Sequence, residues 1–316
     1  MTAAAGPRLV QTPRRSTSLK DLPDALRSLW QAACDAPAGS DVARAFTINF
    51  VGIASASGAE ALRETTARLV RRSPCRAFLL LLDDTVREVT VDVGATTRCS
   101  GHLRDIILEE IVLRLPTTWF AHVPGLLRPL LMNDLPNHLY WSGDMPTQPD
   151  RMKELLRLCE HVVVDSRHFE VPAIGLETLE ALRAEGHRTT DLSWLRLRPW
   201  RRALALAFER VAWREGAALT GIIRHAPEAT AATILLAQWL EARLGGQIEL
   251  EDASSVTSTS PELVSLRTPD YQLQVQAEGS HLVVHVTENS FCHMPFSVPI
   301  SRGSDGDLLA AAIDIA

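Results

Sequence analysis

At 316 residues, 46% apolar and 22% charged, the chain has room for one large domain or two ordinary ones with a real core, and two fit better. A formal charge of −6 argues against a general nucleic-acid binder, though not against a local basic patch. No run approaches the roughly 18 continuous apolar residues that predict a membrane span.

The opening MTAAAGPRLVQTPRR has no apolar stretch of signal-peptide length, and to about residue 18 it reads as an unfolded tail or a lid that orders on a partner. Residues 19–34 carry Leu22, Leu26, Leu29, Trp30 and Ala33 at helical spacing, and Pro37 to Ser40 stop that helix. Residues 45–53 alternate as a strand, with Phe46, Ile48 and Phe50 on one side and Ala45, Thr47 and Val51 on the other. Ser57 with Glu60 has capping-box spacing and opens a helix over 57–72, whose Arg68, Arg71 and Arg72 suit the negative end of its dipole. After Ser73-Pro74, residues 75–82 form an apolar strand closed by Asp83-Asp84, with 87–93 pairing beside it. The segment DIILEEIVLRL at 105–115 serves either period and is read as a strand.

The stretch LLRPLLMNDLPNHLYWSGDMP at 126–146 is the centre of this part. Helical character over 117–132 breaks near Pro124 and Pro129, and Asn133-Asp134 makes a polar turn. Pro136 blocks a helix across the join, and 138–141 is a short strand closed by Ser142-Gly143-Asp144. Neighbouring strand residues face opposite sides, so Tyr140 and Trp141 require a strand covered on both faces, or one ring turned to a ligand or partner. A helix over 149–159, a strand over 161–164 ending in Asp165-Ser166, and a helix over 174–185 stopped by Gly186 continue the strand–helix repeat.

Residues 191–202, DLSWLRLRPWRR, read as a hinge into a second part. Pro199 starts a helix to about Trp213 with Trp200, Leu204, Ala207, Phe208 and Val211 inward, Gly216 interrupts, and 218–224 is a strand. The clearest helix is 228–244, with Ala232, Leu235, Leu236, Trp239 and Leu240 in its stripe and Gly245-Gly246 at its end. Beyond a polar loop at 254–260, strands at 263–266, 271–276 and 281–287 form an antiparallel meander with one wet face, and 307–315 is a terminal helix. The fold class is therefore α/β: a mostly parallel sheet with flanking helices in the N-terminal part, and an α+β C-terminal part with an antiparallel meander. The expected division is 1–40 (tail and helix), 41–190 and 191–316.

Chemistry has few footholds. Asp83, Asp84, Asp134 and Asp165 fall at predicted strand ends, where open α/β sheets bind ligands, but aspartate also caps helices and closes turns. Neither GxGxxG nor GxxxxGK[ST] occurs, so no cofactor is expected. His281 and His285 share a strand face but stand about 13 Å apart, too far for one zinc ion. Cys292-His293 lacks a second pair of ligands, and His122, His138 and His161 are scattered, so no metal site is expected. Without a GxSxG elbow, Ser166 beside Asp165 reads as a cap rather than a nucleophile, and no catalytic residue is assigned. The five cysteines (Cys34, Cys75, Cys99, Cys159 and Cys292) are odd in number and lack a CxxC, which suits reduced cytoplasmic thiols. Cys75 at a helix end is either a reactive thiolate or a buried inert thiol. The dense run Arg196, Arg198, Arg201, Arg202 either grips a phosphate or an acidic partner, or is an amphipathic junction whose arginines pair with acidic neighbours.

Four stretches in register, LLRPLLMNDLPNHLYWSG, HVVVDS, DLSWLRLRPWRRALALAFE and ATAATILLAQWLEARLG, resemble the glucose-6-phosphate dehydrogenase assembly protein (OpcA) family. Its D-L-P turn before an aromatic pair is matched by Asp134-Leu135-Pro136 and Tyr140-Trp141, and its strand ending in Asp-Ser by Asp165-Ser166. Its D-x-x-W-x-R-L-x-x-W-R signature is matched by Asp191, Trp194, Arg196, Leu197, Trp200 and Arg201. The SPCR turn keeps Pro74 and Arg76 of the family's His-Pro-Ser-Arg. Tyr140 for a tryptophan, Gln238 for a glycine, and Gly246 where a tryptophan is usual mark a divergent member.

The resemblance implies a non-catalytic factor that promotes assembly and activation of glucose-6-phosphate dehydrogenase in the oxidative pentose phosphate pathway, and in some members a link to thioredoxin. The partner surface, or its support, is expected at Asp134, Pro136, Tyr140, Trp141, Asp165, Ser166, Asp191, Trp194, Arg196, Trp200 and Arg201, because Trp, Arg and Pro concentrate there. Alanine at Arg196 and Arg201 is expected to weaken activation and leave the fold intact. The rival reading is a sugar-phosphate-binding enzyme or domain with Asp134 and Asp165 in a crevice and arginines on the phosphate.

Overall fold

The computed structural model describes residues 8–34, 41–100, 103–144, 152–211, 219–253, 258–289, 291–300 and 303–315. It forms two units: Met1–Val164 with Ala181–Thr190 and Ser304–Ala316, and Asp165–Glu180 with Asp191–Gly303. Three consecutive segments cut at 40 and 190 were expected; instead the chain passes between the units at 165, 181, 191 and 304. Reading along the chain follows sequence order, whereas sheets and helix contacts recruit neighbours regardless of it.

The first unit holds, in chain order, β1 (Arg8–Gln11), β2 (Arg15–Thr17), α1 (Leu22–Cys34), β3 (Asp41–Arg44), β4 (Ile48–Ser55), α2 (Ala59–Leu69), β5 (Cys75–Leu82), β6 (Thr90–Ser100), β7 (Leu103–Leu115), α3 (Val123–Leu127), β8 (Asn137–Ser142), α4 (Lys153–Leu156) and β9 (His161–Val164). The helix α5 (Pro172–Ala184) follows, and β10 (Arg188–Asp191) stands at the end of the sheet beside β9. Strands β7, β5, β4, β8 and β9 run parallel in that spatial order. β6 is antiparallel on β7, and β1 and β2 are antiparallel along β6. Strand β3 continues in line with β5 along β7.

Unbroken apolar runs suit this centre, since a parallel strand is covered on both faces. Phe50, Val51, Phe78, Leu79 and Leu80 are accordingly at 0% exposure. The two-period ambiguity of DIILEEIVLRL ends in a strand, which sends the adjacent Glu109 and Glu110 to opposite faces. Each carboxylate meets arginine: Glu109 binds Arg76 (2.6 Å) and Arg44 (3.4 Å), and Glu110 binds Arg14 (2.7 Å). The last helix, Asp305–Asp314, opens with a Ser304/Asp307 capping box and packs on α2. Its Gly306 permits the approach, because a Cβ there would stand 2.4 Å from Arg68 Cβ and 2.9 Å from Thr65 O.

Several local expectations are corrected. Residues 8–17, read as tail or lid, contribute β1 and β2, because the edge of β6 offers ladder partners that a local reading cannot see. The segment 87–93 does not pair with 75–82; β6 lies on β7 instead. The Ser57/Glu60 capping box is not made: Ser55 caps a 3-10 turn at Ala56–Gly58, and α2 begins after Gly58 without a side-chain cap. Helical structure after Thr117 is limited to a 3-10 segment, Thr117–His122, and to α3. Pro37–Ser40, Pro149, Trp213 and Gly216 lie outside the described residues.

The second unit adds α6 (Leu192–Arg196), α7 (Arg198–Phe208), β11 (Thr220–His225), α8 (Thr230–Leu244), β12 (Gln247–Asp252), β13 (Leu263–Arg267), β14 (Tyr271–Glu278), β15 (His281–Glu288), β16 (Phe291–Cys292) and β17 (Phe296–Pro299). α8 is the crossover between the parallel pair β11 and β12, and Gly245 ends it at φ 64. The remaining pairings are antiparallel, as the alternating pattern foretold. Trp200, Leu204 and Ala207 of α7 and Leu236 and Leu240 of α8 form one core with Ile223, Val275 and Val284 of the sheet. β12 was not anticipated: QIELED is almost wholly exposed and carries no apolar period.

Candidate functional site

The densest group of sequence-predicted residues lies in the second unit and is built from two short caps. Asp165 accepts from the Arg167 backbone N–H (3.3 Å) and caps the turn Ser166–His168. Asp191 accepts from the Ser193 N–H (2.9 Å) and caps α6, and its Oδ1 also accepts from the Ser166 N–H (3.2 Å). Arg196, at the end of α6, lays both terminal nitrogens on Asp165, Nη1 to Oδ1 and Nη2 to Oδ2 at 2.7 Å each. Arg167 Nη2 adds a third contact at 3.0 Å.

Asp165 is at 0% exposure and Asp191 at 2%. Burial alone would push the Asp165 carboxyl up, but the hydrogen bonds and charge of Arg196, with the charge of Arg167, hold it below the usual carboxylate range. Among the described residues no arginine serves Asp191, and burial pushes its carboxyl up against the hydrogen bonds of Ser166 and Ser193. One carboxylate is therefore a committed anion, and its neighbour resists ionising.

The rest of the signature is packed but not fully paired, since Asp191 Oδ2 and Arg201 Nε are buried without a hydrogen-bond partner. Arg201 lies over the Trp194 ring (Cζ 3.9 Å from the centroid) and Trp194 meets Trp239 edge-on at 6.4 Å. Trp200 is 1% exposed in the core and donates from Nε1 to Ser260 Oγ at 3.0 Å. Within the DxxWxRLxxWR clamp, Arg196 pairs with an acidic neighbour as the junction reading expected, whereas Arg201 lies on an aromatic ring. Arg198 and Arg202 are exposed. Alanine at Arg196 would leave the buried Asp165 carboxylate with Arg167 as its remaining arginine, so the Arg196/Arg201 variant is expected to lose stability along with any partner contact.

In the first unit, Tyr140 and Trp141 point to opposite faces of β8 and both are buried, at 2% and 7% exposure, so the strand is covered on both sides. Tyr140 stacks near Phe50, and Trp141 meets Phe120 edge-on and donates to Asp144 O at 2.8 Å. The turn before β8 is held by Asn49, which no motif had singled out. Its Nδ2 donates to Met132 O and Asn137 Oδ1 (2.8 Å each), and its Oδ1 accepts from the Met132 N–H (3.1 Å). A lone polar residue inside INFVGI was the available signal. Asp134 is exposed in this turn and Pro136 half-buried.

His138 and His161, register partners on β8 and β9, bring their Nδ1 atoms within 3.3 Å, and His161 Nε2 stands 2.9 Å from Thr190 Oγ1. Between two facing Nδ1 atoms only one can carry the shared proton, so the pair cannot hold two charged rings. Burial lowers both, His161 to about 4 with help from His138 and Arg188.

The crevice of the rival reading does not assemble. Asp134 precedes β8 and Asp165 follows β9; the two strands are parallel, so the carboxylates mark opposite strand ends, and Asp165 is neutralised by arginine. Asp83 is held by Thr85 and Arg114, and Asp84 by Thr117. Among the described residues no group of three or more His, Cys, Asp or Glu could hold a metal ion. The Cys75 and Cys159 thiols are buried and pushed up by that burial, which makes Cys75 the inert alternative. No helix among the described residues is long and apolar enough to cross a membrane.

Comparison with known proteins agrees with the motif reading. A Nostoc punctiforme protein bearing the OxPP-cycle name OpcA is 29% identical over 184 residues, which span 56% of this chain and 39% of that protein. A Synechococcus elongatus namesake is 24% identical over 186 residues, spanning 57% and 41%. The chain therefore matches less than half the length of these relatives. Among solved structures, the 3-ketoreductase KijD10 from Actinomadura kijaniata aligns at TM-score 0.48 and 13% identity over 85% of this chain and 89% of that one, a likeness too distant to speak to chemistry. The family descriptions that match are the glucose-6-phosphate dehydrogenase subunit N-terminal domain over residues 66–181 and the C-terminal domain over residues 187–315. With both domains present in order, the chain belongs to the glucose-6-phosphate dehydrogenase subunit (OpcA) family.

Proposed function

We propose that this protein is a non-catalytic assembly and activation factor of the cytoplasm that binds glucose-6-phosphate dehydrogenase and favours its active oligomer, in the oxidative pentose phosphate pathway. The observation that carries the reading is the match of both family domains, in order, across most of the chain. The mechanism is linkage: a protein that binds the active form more tightly than the inactive one raises its population by that difference in affinity.

Within the second unit, the clamp is the support and a tip of the sheet at residues 291–294 is the contact. Asp165, Ser166, Asp191 and Trp200 are buried and act from beneath, whereas Trp194, Arg196 and Arg201 are half-buried. Phe291 is 65% exposed and Met294 84%, yet their loop is fixed: Arg210 donates to Met294 O (3.0 Å) and lies over Phe296, and His293 N–H bonds Val286 O (2.9 Å). Large apolar side chains held ready in this way suit interface anchors. In the first unit, the turn at Asp134 and Pro136, tied down by Asn49 ahead of the strand that carries Tyr140 and Trp141, is the corresponding candidate surface. A thioredoxin-type partner gains no support from the buried Cys75 and Cys159.

The test is dehydrogenase activity and sedimentation with and without the protein in one buffer. Faster turnover with a larger sedimenting species is expected; an intact dehydrogenase that ignores the protein refutes the reading.

A further inference from the structure

We propose that the first unit carries a binding site for a small phosphate monoester, in the cleft between α2, the segment at 9–14 and the facing surface of β6 and β7. The cleft has a volume of about 530 Å³, within the range of small-molecule sites. Arg63 and Ala67 of α2 line it together with Arg71, in the turn two residues beyond Leu69, so two guanidinium groups come from that side. Arg14 stands on the opposite wall.

That wall is fixed. Thr12 Oγ1 donates to Ala95 O (3.1 Å) and accepts from the Ala95 N–H (2.8 Å). Gly94 leaves room for the Arg14 stem, since a Cβ there would stand 3.3 Å from Arg14 Cγ.

Charge selects the ligand. Glu110, 6% exposed, is held by Arg14 through Nε (2.8 Å) and Nη2 (2.7 Å), so these two charges cancel. Arg63 is left with a buried Nε that has no hydrogen-bond partner, and with a 4.0 Å approach to Glu60, itself 90% exposed. Arg71 makes no side-chain hydrogen bond or ion pair among the described residues. Two positive charges with unused donors therefore face one volume, and a phosphate monoester, at about −1.5 to −2 near neutral pH, is the common metabolite group that matches both. A single carboxylate would balance only one. Ala67, Val70, Ala95 and Leu108 offer the body of the ester an apolar wall. Sugar phosphates and nucleoside monophosphates share this chemistry.

The test is titration calorimetry of the full chain with inorganic phosphate, glucose 6-phosphate and adenosine monophosphate. Saturable binding of at least one ester, tighter than inorganic phosphate, is expected, and the tighter ester names the source. Arg71→Ala and Arg63→Ala should each weaken it about tenfold or more. Arg71 is exposed in the turn after α2, so Arg71→Ala and Arg71→Glu, which should abolish binding, serve even where an Arg63 variant does not fold. No ester binding more tightly than inorganic phosphate, or equal binding by the folded Arg71 variants, overturns the proposal.

Discussion

In the second unit Arg196 spends both terminal nitrogens on Asp165 and Arg201 lies on Trp194, whereas in the first unit Arg63 and Arg71 line a cleft with donors unused. The first pair belongs to a dense run that draws the eye as a phosphate grip. The second takes one arginine from α2 and one from the turn after it, and has no motif around it. Arginine density measures how much positive charge a segment carries, not how much is available. Availability is set by what folds against it: a buried carboxylate in one case, and a cleft floor of small and apolar residues in the other.

The comparison can be broken first at Arg196. Arg196→Ala leaves Asp165 buried with only Arg167, and should cost about 3–5 kcal/mol of stability by urea denaturation. A variant as stable as the parent would mean that the clamp does not hold the second unit. Next, Arg201→Ala removes a half-buried cation–π contact and should cost about 1–2 kcal/mol, seen as a lower Tm. By contrast Arg71→Ala should move stability by no more than about 0.5 kcal/mol, because it breaks no contact in the described chain. A large loss there would make Arg71 as structural as Arg196.

Titration sharpens the same contrast. Asp165, held below its unfolded value, contributes stability that is present above the unfolded carboxyl range and lost as pH falls through its lower folded value. Asp191, held above its unfolded value, does the reverse: stability is fullest below the unfolded range and falls as pH rises through the folded value. Asp191→Asn should therefore be close to neutral or slightly stabilising at pH 7, whereas Asp165→Asn should approach the Arg196→Ala loss. Equal effects of the two amides would dissolve the distinction. In the first unit, the His138/His161 pair loses its contribution earlier, as pH falls from the ordinary histidine value near 6.5 toward about 4. Replacing His161 by glutamine should flatten the acid limb in that window, measured as Tm against pH.

Much of this was legible along the chain. The apolar run CRAFLLLL becomes a doubly covered strand, the alternation after residue 263 becomes the meander, and the Ala/Leu stripe before Gly245 becomes α8, because these patterns report which faces must leave water. The Asp191 to Arg201 signature was visible as a group, and so was the choice between grip and junction. Its resolution was not, since Asp165 lies 31 residues from Arg196 in sequence and 2.7 Å away in space. The same limit hid Asn49, which ties down a turn 83 residues downstream, and made an ordered edge of β1 and β2 look like a tail.

What the sequence determined alone is periodicity, and with it most of the elements and the fold class, while its motifs carried the resemblance to the family. Tertiary structure decided which buried charges are paired and which guanidinium groups are spare. Periodicity is a local balance between backbone geometry and water, repeated every two or 3.6 residues. Pairing depends on distances between residues far apart in the chain, and those exist only once the sheet has brought them together.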